Sequence, residues 1–173
     1  MKLNITFSKD EIKDIFISTL VLGFIIGLSF IPHELAHKLV AMYYGHFARY
    51  VMWKEGLFFA LLLSGITRGE LIFAAPGAVW IIPRSNFGYL SAREDAIISA
   101  AGPLMNLVTA ILAIILVGIY PSDILVIIYY INTLLAFFNL LPLPPLDGSH
   151  IARSNLLLWI VMICFAGILF FIF

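Results

Sequence analysis

The chain has 173 residues, 62% of them apolar and 12% charged, with a mean hydropathy of +1.07. Soluble domains carry roughly a quarter charged residues, so this composition excludes an ordinary soluble domain and describes a polytopic α-helical membrane protein. The formal net charge of zero leaves no basic stripe to displace phosphate counterions, which excludes a nucleic-acid partner, and the single cysteine, Cys164, excludes an internal disulfide framework.

Residues 1–14 read as a short polar tail, mixing Lys2, Lys9 and Lys13 with Asp10, Glu11 and Asp14. Residues 15–173 read as a single transmembrane domain. Ile15 to Ile31 is apolar apart from Ser18, Thr19 and Ser29. This run is too long for a signal-peptide core and meets no A-x-A-like cleavage site, so it is expected to stay in the mature protein. The helical pattern continues to Tyr44, with Gly45 as its stop and Pro32 as an expected kink.

Inside this helix lies His33-Glu34-Leu35-Ala36-His37, an HExxH signature. Residues four apart sit one turn above each other on one face, so His33 and His37 can offer two imidazole nitrogens to one metal ion. Glu34 is then placed to hold a proton beside a water at that metal rather than to bind it. Ionisable groups within a lipid-embedded helix are costly, which makes function the default reading.

From His46 to Leu90 the character changes. Phe47 to Trp53, rich in β-formers and aromatics, reads as an interfacial strand. Gly56 to Thr67 is apolar but too short to span a bilayer, and reads as a re-entrant or interfacial segment. Leu71–Ala75 and Ala78–Ile82 flank Pro76-Gly77 and are expected to form a membrane-associated β-hairpin.

Ser91-Ala92-Arg93-Glu94 is a capping box that opens a second span, Ala92 to about Tyr120, closed by Pro121. Ser99, Gly102, Asn106, Ala110 and Ala113 fall on one stripe of it, suited to close helix approach, and the Asn106 amide at membrane depth requires a partner. Pro121-Ser122-Asp123 caps a third span running from Ile124 towards Leu141.

Asn139-Leu140-Leu141-Pro142-Leu143-Pro144-Pro145-Leu146-Asp147-Gly148 follows. Its prolines cannot remain helical, yet the segment is apolar. Irregular backbone is tolerated at membrane depth only where protein or water covers it. Asp147, at the end of this stretch, is a candidate metal ligand, a cap for the next helix, or both. Ser149 to Phe173 reads as the last span, giving about four transmembrane helices in all. His150 and Arg153 lie near Asp147 and suit an anchoring or supporting role better than ligation.

HELAH at 33–37, Ala101-Gly102-Pro103-Leu104-Met105-Asn106, and Asn139 through Leu146-Asp147-Gly148 together resemble the site-2 protease family of intramembrane zinc metalloproteases. The resemblance covers roughly Leu20 to Ile151. It implies that His33, His37 and Asp147 bind one catalytic zinc per chain and that Glu34 is the general acid/base. It also implies that Asn106 and Asn139 handle substrate or the developing oxyanion. The implied partners are the lipid bilayer and transmembrane protein substrates, cleaved in regulated intramembrane proteolysis.

The leading span of many family members, and PDZ or CBS modules, are not expected here, as in a minimal archaeal or bacterial member. Two other readings are weaker. A ZIP-type metal carrier places proline between its two histidines, whereas Pro32 precedes His33; an inactive relative has no use for an intact Glu34. The excess of Arg49, Lys54, Arg68, Arg84, Arg93 and Arg153 on the site's side predicts, by the positive-inside rule, a plasma-membrane protein whose active site opens to the cytoplasm. A strand edge near Val79 and Trp80 is expected to pair with an unwound substrate segment.

Overall fold

In the computed structural model the described residues are 8–52, 54, 58, 66, 77–84 and 89–172. Their elements, in chain order, are α1 (Lys9–Tyr43), β1 (Phe47–Met52), β2 (Gly77–Ile82), α2 (Ala92–Ile119), α3 (Asp123–Asn139), α4 (Asp147–Ser154) and α5 (Leu156–Ile172). The fold is mostly helical, as the apolar periodicity predicts. Two stretches, Thr19–Tyr43 of α1 and Ala92–Ile119 of α2, are long and apolar enough to cross a membrane.

Large apolar side chains lie outward and polar ones inward on both of these helices. Along α1 the large side chains Leu20, Phe24, Leu28, Ile31, Leu35 and Leu39 are exposed, while Ser29, His33 and His37 are buried. On α2 Leu104, Val108, Leu112 and Ile119 face outward, and Gly102, Asn106, Ala110 and Ala113 face inward. Four members of the small-residue stripe are thus buried, against which α1 and α3 pack closely. A buried apolar cluster of Ala100, Leu107, Ala136, Leu140, Ile151, Met162 and Ala166 ties α2, α3, α4 and α5 into one body.

Several boundaries follow the local chemistry. α1 passes through Pro32 as one helix and stops where Gly45 takes φ 81°. The Ser91 hydroxyl and the Glu94 carboxylate cap the start of α2 reciprocally. Ser122 precedes α3 without a side-chain cap. The last span expected from Ser149 onward is instead two helices, α4 and α5, because the chain takes an extended conformation at Asn155. The break is covered by local bonds: the Asn155 amide donates to Ile151, and its side chain accepts from the Leu158 N–H at 3.0 Å.

β1 and β2 form a two-stranded antiparallel sheet, with Tyr50 opposite Val79 and Arg49 opposite Trp80. The expected strand at 47–53 is therefore present as β1. Of the hairpin expected across Pro76-Gly77, the arm at 71–75 lies outside the described residues, while the arm at 78–82 belongs to β2 and pairs with β1. The segment 56–67 is likewise outside them except at isolated positions.

Candidate metal centre

Three elements deliver three donor atoms to one point. α1 carries His33 and His37 on one face. Asp147 opens α4, immediately after the Pro142–Pro145 stretch has turned the chain back toward α1. That turn is held by the Leu143 N–H donating to Leu141 and the Leu146 N–H donating to Leu143, both at 2.8 Å. Trp159 fixes its base by donating its indole N–H to the Leu140 carbonyl at 2.7 Å. A side chain at Gly148 would collide with that same carbonyl, so only glycine lets the start of α4 approach so closely.

The resulting triangle has a His33 Nε2–His37 Nε2 edge of 3.1 Å and two edges of 3.3 Å to Asp147 Oδ2. A tetrahedral zinc with N and O ligands at about 2.0–2.1 Å separates its ligand atoms by about 3.3 Å. The triangle thus has the dimensions of three corners of that tetrahedron.

Hydrogen bonding on the far side of each imidazole decides what faces the triangle. His37 Nδ1 lies 2.7 Å from the Ile98 carbonyl, which can only accept, so Nδ1 carries the proton. For His33 the inference runs through three helices. Asn132 on α3 directs its NH2 at the Ile128 carbonyl (2.8 Å) and the Ser29 hydroxyl (2.9 Å), which itself donates to Ile25. Its carbonyl oxygen therefore accepts from the Asn106 NH2 at 2.9 Å. The Asn106 oxygen is then turned to His33 Nδ1, 2.5 Å away, and accepts its proton. In the neutral imidazoles both Nε2 atoms are unprotonated and point at each other and at a carboxylate oxygen. Three acceptors so close repel one another unless a cation lies between them. His33, His37 and Asp147 could hold that cation; they are the one such group among the described residues.

Gly102 on α2 makes room for this arrangement. A Cβ there would collide with His37 Nε2 and come within 2.6 Å of His33 Nε2. Glu34 is half-buried beside the triangle, lines an apolar cavity of about 570 Å³, and accepts the Val79 N–H at 3.0 Å. In an antiparallel pair a residue turns its N–H and C=O to the same side, so Val79 presents the outer edge of β2 to this cavity.

The other predicted residues sit as follows. Asn106 is buried and bonded on every side, its amide donors taken by Asn132 and, at 3.4 Å, the Ser29 carbonyl. Asn139 donates its amide to the Leu135 carbonyl of its own helix at 2.9 Å. His150 pairs with Asp95 at 3.3 Å, and Ser154 donates to the same carboxylate at 2.7 Å, which docks α4 against the start of α2. Sequence reasoning misses the roles of Asn132, Ser29 and the Ile98 carbonyl, and it gives the Val79 edge to substrate without foreseeing its bond to Glu34. Of these only Asn132 carries a readable signal, as an amide within an apolar span.

The family description "Peptidase family M50" matches residues 21–122 and 119–163. A protein of Methanocaldococcus jannaschii named "Putative zinc metalloprotease MJ0611" is 35% identical over 178 residues, covering 90% of each chain. A Bacillus subtilis protein named "Putative zinc metalloprotease YwhC" is 31% identical over 148 residues, covering 73% of this chain and 65% of that protein. No solved structure matches. A family match over most of the chain, together with a relative similar along nearly its whole length, establishes that the chain belongs to peptidase family M50, the site-2 protease family.

Proposed function

We propose that this chain is an intramembrane zinc metalloprotease that hydrolyses peptide bonds within or near transmembrane segments of other proteins, as in regulated intramembrane proteolysis. The observation that carries the reading is the convergence of His33, His37 and Asp147 beside Glu34, which itself lines an apolar cavity edged by a strand. His33, His37 and Asp147 would hold the zinc, and three protein ligands leave one position open, the mark of a catalytic site. When bound, zinc polarises the scissile carbonyl and makes water acidic enough to attack near neutral pH.

The remaining roles belong to the chain. Glu34 takes the proton of the attacking water and passes it to the leaving amine. The Val79 N–H orients its carboxylate. Asn106 is a positioning residue: it fixes the His33 tautomer, and Asn132 and Ser29 fix Asn106 in turn. With both amide donors so engaged, Asn106 is better suited to that task than to binding an oxyanion.

A substrate helix hides its carbonyls in its own hydrogen bonds and must unwind before attack. The outer edge of β2 offers the unwound segment main-chain partners. In the membrane, α1, α2, α3 and α4–α5 are four spans, and the arginine distribution orients the site to the cytoplasm.

The test is zinc-dependent cleavage. Purified protein should contain one zinc per chain and cut a model membrane-spanning substrate. A chelator should abolish cutting, and added zinc should restore it. A metal-free protein that cleaves undiminished would remove the proposal.

A further inference from the structure

Two cavities meet at one lysine. The apolar cavity that holds Glu34 and Val79 is also lined by Lys38. A second cleft, of about 430 Å³, is lined by Lys38, Met42, Gly45, His46, Ala48 and Arg84. Lys38 stands one helical turn beyond Glu34, about 6 Å along α1. It is half-buried, while Arg84 is exposed at the second cleft.

Among the described residues no carboxylate forms an ion pair with either cation; the ion pairs present join His33, His37, His46 and His150 to Asp147, Glu94 and Asp95. His46 accepts the Arg84 backbone N–H at 3.3 Å, which holds the chain at Arg84 beside the end of α1. The opposing negative charge there is the partial charge of the helix end and the Glu94 carboxylate, which is engaged by His46 Nε2 at 3.6 Å and by the Ser91 cap.

We infer that Lys38 and Arg84 read acidic residues in the juxtamembrane segment of the substrate, just beyond the bond that is cut. The inference rests on the protease reading of the site. An extended chain rises about 3.3 Å per residue, so a segment passing Glu34 reaches Lys38 within about two residues and the second cleft soon after. The apolar cavity takes the membrane-spanning part of the substrate, and the basic cleft takes the part that leaves the membrane. A lipid headgroup shares the negative charge but has no reason to be aligned with Glu34, whereas a cleaved chain must be.

The experiment uses the full chain, zinc-loaded, in vesicles of phosphatidylcholine alone. Three model transmembrane substrates differ only two to four residues beyond the cut, on the side nearest the end of α1, and carry Glu-Glu, Gln-Gln or Lys-Lys there. kcat/KM should rank Glu-Glu above Gln-Gln above Lys-Lys, spanning on the order of fivefold and shrinking with added salt. The double variant K38E/R84E should reverse the order while keeping its zinc. Should that variant lose zinc, Arg84→Gln alone, altered only at an exposed side chain, should narrow the ratio.

Equal rates for the three substrates, or an order that survives charge reversal, would overturn the inference. So would a rate that depends on added anionic phospholipid through Lys38 and Arg84 but not on substrate charge, since that outcome places a headgroup in the cleft. If none of the three is cut by zinc-loaded protein, the protease reading itself falls; cleavage of all three at one rate leaves that reading standing and removes only the charge readout.

Discussion

Asn132 on α3 determines which nitrogen of His33 on α1 carries a proton, although the two side chains do not touch. Asn106 stands between them, and each bond in the series has one possible direction because it ends on carbonyl acceptors at Ile128 and Ile25. Three helices are thereby locked around a single imidazole, and the polar groups that lock them are all buried. The unfavourable burial of those amides is offset only when the whole network is satisfied.

Breaking that series should weaken metal binding without touching a donor atom. Asn106→Ala and Asn132→Ala are expected to lower zinc affinity on the order of tenfold to a hundredfold, the usual range for partners behind a ligand. A competition titration against a zinc chelator reads this directly. Affinity unchanged in both variants would mean that the series does not hold His33 in place.

Gly102 should be intolerant of even a methyl group. Gly102→Ala places a Cβ against both imidazoles and is expected to eliminate stoichiometric zinc. Gly118 lies on the same helix with nothing near its missing Cβ, so Gly118→Ala should retain it. Metal analysis of the two purified variants separates local collision from a general loss of helix packing.

Much of this was legible in the sequence, for reasons that differ residue by residue. HExxH announces itself because its spacing equals one helical turn, and the capping box at Ser91 because it is a local bond pattern. Gly102 and Asn106 stand out by the family resemblance, but their tasks do not: collision with an imidazole and a tautomer lock are properties of packed neighbours, which no spacing encodes. Asn132 is visible as an amide in an apolar span that requires a partner, but which partner it takes follows only from the placed helices. Asn139 stands beside a proline run in the sequence, and its amide turns back on its own helix. The division of the last span at Asn155 carries a local signal, a polar stretch ending in a capping asparagine just before the apolar run from Leu156, which a single-span reading from Ser149 does not use.

The outer edge of β2 should matter to cleavage. Val79 uses its N–H on Glu34, so alternation along the strand places the Ile81 N–H on the same outer side. Ile81→Pro removes that donor while leaving the Val79–Glu34 bond in place, and should slow cleavage of a model substrate several-fold with full zinc content. Helix-breaking Gly or Pro residues in the substrate should speed its cleavage. A continuous poly-Leu span cut as fast as an interrupted one would contradict unwinding at the site.

The most direct test of the account separates holding the metal from moving the proton. Glu34→Gln keeps the size and polarity of the side chain but cannot take the proton of the attacking water. Zinc content and cleavage of a membrane-spanning substrate should be measured on the same preparation. The account predicts one zinc per chain and a rate at least about a hundredfold below wild type. A wild-type rate with zinc bound would contradict the role given to Glu34.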